Sequence, residues 1–279
     1  MFDIIQEMFS FTFIVRAFVV GTLVSICAAI LGVSLVLKRY SMIGTGLSNV
    51  GFFSLALAGV LNMAPLSVAI PMVVAAAFLL LRLSENSKIN GDAAVALLSA
   101  SSLAVGIIVI SLSSGLNTDV SNFLFGSILT TTSQDMYLSI GLSIAAVLLF
   151  IMFYHKLFAI TFDESFAKAV GVNTGIYNML IALLTALTIV LGMRMMGALL
   201  ISSLIIFPAL SAMRIFKQFK SVTICSAVVS VFCFFIGLVI SYKYSTPTGA
   251  SVVAVNIAVF VLFWLAEVLR KYYFSAKRS

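Results

Sequence analysis

The feature that most constrains this chain is that apolar runs of about twenty residues follow one another, separated only by short polar breaks. A run of that length matches the hydrocarbon thickness of a bilayer when it is helical. Inside lipid no water is available to the backbone, so each run must close its own hydrogen bonds, and a helix does so within one segment. Spanning helices are expected at 12–37, 44–62, 64–82, 91–114, 134–154, 174–193, 196–213, 221–242 and 248–269. The fold class that follows is all-α, a polytopic transmembrane bundle of about nine helices. It forms a single domain over 1–279.

Composition agrees. Hydrophobic residues make up 62% and charged ones 9%, where a soluble domain carries about a quarter charged. The expected location is the cell membrane, crossed many times. With so little exposed polar surface, the net charge of +7 reads as membrane topology, and nucleic acid is not an expected partner. Cys27, Cys225 and Cys233 fall inside apolar runs and are assigned no disulfide. Asp3 and Glu7 stand where a signal peptide carries Lys or Arg, so the first apolar segment is expected to be retained.

The breaks have local causes. Lys38, Arg39 and Tyr40 close the first run, Asn62 and Pro65 mark a tight turn, and Asp92 is placed to cap the fourth helix. Pro208 lies inside the seventh run, where its missing N–H should bend the helix. Between the sixth and seventh runs the break is expected from Met193 to Met196. The stretch from Gly115 to Gln134, with Asp119, is expected to be external and partly helical.

Lys and Arg in short loops stay on the cytoplasmic side. With nine spans and an inner C-terminus, only Arg16, Arg194 and Lys243 of the sixteen cations fall near the outer half. The expected topology is N-terminus outside and C-terminus cytoplasmic.

The longest polar interruption is KLFAITFDESFAKAVG, from Lys156 to Gly171. Asp163 and Glu164 stand about one turn before Lys168, and Gly171 reads as a helix stop. On charge placement this segment, about 156–172, is cytoplasmic. The other informative stretch opens the second run, where Thr45 and Asn49 are spaced to share one helix face and Gly44, Ser48 and Gly51 allow close helix approach. Those two polar residues either hydrogen-bond across a helix interface or line a pathway.

Several chemistries are disfavoured. There is no GxxxxGK[ST] loop to cradle ATP and no HExxH, and the one histidine, His155, sits at a helix end. The chain is not expected to be an enzyme or to bind a cofactor. Among acids only Glu267 falls within a run, near its end, which argues against a proton relay of buried carboxylates.

Five stretches in order, VLKRYSMIGTGLSNVGFFSLALAG, DVSNFLFGSIL, FDESFAKAVGV, GALLISSLIIFPALSAM and PTGASVVAVNIAVF, resemble the ABC-3 permease family, the membrane subunits of zinc and manganese ABC importers. The resemblance spans about 15–265. It implies an alternating-access permease in a dimer of identical or related chains. It further implies cytoplasmic ATPase subunits that bind the ATP, usually an extracellular substrate-binding lipoprotein, and a divalent metal ion as cargo. It assigns Asp163, Glu164, Lys168 and Gly171 to an ATPase-coupling segment and places Thr45, Asn49 and Pro208 at or near the translocation pathway. One departure stands out: the family usually has Asp at the position of Thr45 and His at that of Asn49, so no metal site is assigned here. Thr and Asn offer only neutral oxygens, weak ligands for zinc or manganese. A second, non-identical permease supplying the Asp and His, passage without a firm site, and a different substrate stay open. So do an ion-coupled secondary carrier and a non-transporting membrane partner. The methionines, Met193, Met195 and Met196 among them, read as core filler.

Overall fold

The structure is a computed structural model describing residues 7–8, 10–40, 42–86, 91–112 and 133–276. The external stretch with Asp119 lies outside the described residues. Within them the chain folds as α1 Thr12–Leu37, α2 Ile43–Val60, α3 Pro65–Asn86, α4 Gly91–Leu112, α5 Ser133–Met152, α6 Tyr154–Phe162, α7 Glu164–Ala169, α8 Thr174–Met196, α9 Ala198–Ile215, α10 Phe219–Tyr244 and α11 Thr248–Ala276. Eight of these are long and apolar enough to cross a membrane, and α5 with α6 makes a ninth, bent candidate.

Each expected span is therefore present, and the differences lie at the ends. Helix α8 runs on to Met196, and the break before α9 is the single residue Gly197, at φ 86. That left-handed conformation is open to glycine at little steric cost, so the chain stops there and not three residues earlier. Helix α5 ends at Met152; after Phe153 the chain turns by 71° into α6. Helix α4 begins at Gly91, which places Asp92 in its first turn and not at the cap. Asn62 takes up positive φ in the α2–α3 turn, as its side chain permits.

Helices α1, α2, α8 and α9 form the interior, while α4 and α11 turn most of their surface outward. In lipid the outward apolar side chains, such as Leu97, Ile108 and Leu262, are in their preferred solvent. Interior contacts are made at small residues. Gly32 of α1 lies against the backbone of Ile205 in α9, and Gly44 of α2 faces Ser202 and Ile205 of the same helix. Helix α9 thus packs against both α1 and α2, and it continues unbroken through buried Pro208. Met193 fills the space beside Gly51, and Met196 that beside Gly21, both almost wholly buried. The thioethers of these two are taken up by packing; the Met195 side chain lies outside the described residues. The thiol of Cys27 donates to the Ser143 carbonyl, and all three cysteines are free.

An aromatic cluster fixes α6. Tyr154, Phe158 and Phe162 ring Phe219, the first residue of α10, at centroid distances of 5.6, 5.3 and 6.2 Å. Phe153 meets Tyr177 of α8 at 5.7 Å. Such contacts add to burial where the chain leaves the spans. Consequently α7 is presented from an anchored base.

Candidate functional site

Helix α7 is defined by its caps. Asp163 is extended, at φ −149 and ψ 100, and its carboxylate accepts from the Phe166 amide at 2.9 Å. This satisfies one of the orphan amides of the first turn. At the other end Gly171 has φ 84, and the Val172 amide donates to the Ala167 carbonyl at 3.0 Å while that of Gly171 donates to Lys168. Two orphan carbonyls are so satisfied, and a side chain at position 171 would have paid for the left-handed backbone. Lys168 and Glu164 meet across one turn at 3.7 Å. The expected short charged helix ending at Gly171 is present.

The charges, however, do not all face outward. Glu164 turns toward the bundle: its Oε2 lies 3.5 Å from the Lys38 ammonium, which follows α1, and its Oε1 accepts from the Asn178 amide of α8 at 3.1 Å. Asn178 completes the triangle by accepting from Lys38 through Oδ1. Asn178 is 5% exposed and the Lys38 side chain 11%. An ammonium so enclosed needs a carboxylate and further hydrogen bonds to offset its lost hydration, and both are supplied. Asp163 is occupied as a cap. The outward surface of α7 carries exposed Lys168 beside an apolar strip, Phe166 and the C-cap residue Val170 one turn apart with Phe162 just before the helix, all mostly exposed.

Sequence reading missed Lys38 and Asn178. Lys38 reads as a topology signal, and Asn178 as one amide in the first turns of an apolar helix. Lys38 follows the C-terminal end of α1 and Asn178 lies near the N-terminal end of α8, and nothing local joins them.

In α2, Asn49 donates through Nδ2 to Ser99 Oγ of α4 at 2.7 Å. Ser48, on another face, returns its hydroxyl to the Gly44 carbonyl at 2.8 Å. Thr45 and Asn49 are both half-buried, and Asn49 forms the interface bond that was one of its two readings. Pro208 stands on α9, which touches α2 near Gly44. The structure therefore brings Glu164 and Lys168 together, leaves Asp163 and Gly171 as the caps of the same helix, and sets Thr45 and Asn49 apart on α2. Among the described residues no three His, Cys, Asp or Glu side chains converge as metal ligands.

A second charged cluster ties α9 to α11. Arg214 donates to Glu267 at 3.0 Å and lies over the Phe260 ring, and Lys271 reaches the same carboxylate at 2.7 Å.

Comparison with known proteins matches the ABC 3 transport family over residues 10–267. The chain is 28% identical to the manganese import system permease protein ScaB of Streptococcus gordonii over 270 residues, covering 97% of each. It is 30% identical to the high-affinity zinc uptake system membrane protein ZnuB of Haemophilus influenzae, covering 90% of this chain and 97% of that one. A solved chain described as PsaBC from Streptococcus pneumoniae in complex with Fab superposes with a TM-score of 0.83 at 30% identity and 94% coverage of both. The multi-span helical architecture and these matches have one conclusion: the chain is a membrane protein belonging to the ABC 3 transport family.

Proposed function

We propose that this chain is the membrane-spanning permease subunit of an ATP-binding cassette importer for divalent metal ions of the zinc or manganese class. One observation carries it: the match to a manganese import permease and to a zinc uptake membrane protein covers 97% of each relative. The partners are cytoplasmic ATPase subunits, which bind and hydrolyse the ATP, a second permease chain, and an extracellular substrate-binding lipoprotein. The N-terminus is outside, and α7 lies on the cytoplasmic face.

The chain performs no covalent chemistry. ATP binding closes the ATPases, α7 moves with them as a capped lever, and the facing helices of two permeases change the side to which the cavity opens. Phe166, Val170 and exposed Lys168 are available to a partner groove, while Asp163, Glu164 and Gly171 hold the shape of α7. Thr45 and Asn49 lie on the pathway side of α2, near the two-fold axis.

The Asn49 bond to Ser99 favours one variant of this reading. Position 49 in this chain serves helix packing, and a non-identical partner permease supplies charged ligands. Mass analysis of the purified complex separates that arrangement from a homodimer.

The test is manganese or zinc uptake by cells carrying this chain with its ATPase. Glu164→Lys is expected to abolish uptake while the protein still inserts at normal levels. Uptake that persists with a hydrolysis-dead ATPase overturns the proposal.

A further inference from the structure

We propose that Lys38, Asn178 and Glu164 form a transmission strut, in which Lys38 and Asn178 are positioning residues that make the α1–α2 corner follow α7. This rests on the reading of α7 as the ATPase-coupling helix and deepens it.

The three residues come from three elements that have no other reason to agree. Lys38 caps α1, Asn178 belongs to α8, and Glu164 opens α7. Lys38 and Asn178 are 140 positions apart in the chain. Between α7 and the corner they make a closed set of contacts: ammonium to carboxylate, ammonium to amide oxygen, and amide nitrogen to carboxylate. Lys38 and Asn178 are shielded from water and the Glu164 side chain is 37% exposed, so the set is more enclosed and more directional than the Lys168 pair, whose lysine is 66% exposed.

What lies beyond Lys38 makes the strut consequential. The chain turns at once through Arg39, at φ 63, and Tyr40, whose amide donates to the Leu35 carbonyl at 2.9 Å. Helix α2 then starts at Ile43 and carries Thr45 in its first turn. A displacement of Glu164 therefore reaches the base of the pathway helix through one side-chain link and one tight turn. Behind the link lies an apolar cleft lined by Leu35, Lys38, Tyr40, Ile43, Ala77 and Asn178.

Asn178 also permits a decisive control. Its amide presents an acceptor to Lys38 and a donor to Glu164; if the two charges are exchanged, a flip of the amide restores both hydrogen bonds. The exchanged pair keeps the strut, whereas each single change breaks it.

The experiment uses the permease reconstituted in proteoliposomes with its ATPase, its partner permease and the substrate-binding lipoprotein, with ATP hydrolysis and manganese uptake measured in the same preparation. Lys38→Met and Asn178→Leu are expected to leave assembly and hydrolysis within about twofold of the parent and to lower ions moved per ATP by about tenfold, while Glu164→Lys, on the coupling helix itself, is expected to abolish uptake. Lys38→Glu combined with Glu164→Lys is expected to recover the ratio to within about threefold. Single variants that keep the parental ratio overturn the strut, as does a double variant no better than the singles. If the unmodified chain shows no ATP-dependent uptake with an ATPase that hydrolyses normally, the importer reading itself falls, and the strut with it.

Discussion

Gly32 of α1 lies so close to Ile205 of α9 that a Cβ at position 32 would stand 2.0 Å from the Ile205 carbonyl oxygen. The obstacle is backbone, so no rotamer change can make room, and the two inner helices must separate. Close approach at a small residue is how helices gain packing energy in lipid, where burial from water is not available.

Gly32→Ala is accordingly expected to destabilise the bundle by about 1–3 kcal/mol or more, as overpacking does when the structure cannot yield. Thermal unfolding of the purified protein in detergent measures it. Gly141, whose added Cβ would meet nothing within 4 Å, is the control. Gly141→Ala should be neutral or stabilising by up to about 1 kcal/mol, because alanine is the better helix former. Equal midpoints for the two variants would refute the close-packing account.

Asp163→Ala removes the side-chain acceptor that holds the Phe166 amide at the start of α7. A lost cap of this kind costs about 1 kcal/mol. In a helix of six residues that is enough to raise its open fraction several-fold. Hydrogen exchange at Phe166 and Ala167 is expected to speed up, and Asp163→Asn to keep most of the protection. Unchanged exchange in Asp163→Ala would show that α7 is held by its neighbours alone.

Thr45→Asp with Asn49→His converts two neutral oxygen donors into a carboxylate and an imidazole on one helix face, ligand types suited to zinc and manganese. Titration calorimetry with zinc is expected to show binding that the parent chain lacks. The Asn49 bond to Ser99 is lost in this variant, so helicity and unfolding should be checked on the same sample. A folded double variant with no heat of binding counts against placing these positions on the pathway.

How much of this was legible in the sequence differs by residue. The spans were, because a stretch such as 248–269 announces itself through its own composition and needs no partner. The caps of α7 were nearly so: Asp163 and Gly171 act on the backbone within a few positions. The end of α8 was not, since the choice between stopping at Met193 and stopping at Gly197 depends on which residue takes positive φ, and apolar residues on both sides carry no signal. Neither was the role of Glu164, whose nearest sequence partner, Lys168, is the weaker and more exposed of its two cations.

By itself the sequence determined that this chain lies in a membrane as a bundle of helices with one charged helical interruption. The reason is local: in lipid each segment must satisfy its own backbone, and hydropathy along the segment reports that directly. Only the tertiary structure decided which polar groups face each other. Lys38 and Asn178 reach Glu164 because α1 and α8 deliver their ends to α7, and Asn49 meets Ser99 because α2 packs on α4. A charge in the chain carries no mark of its partner; the partner is whichever group the packing of the helices brings within hydrogen-bond distance.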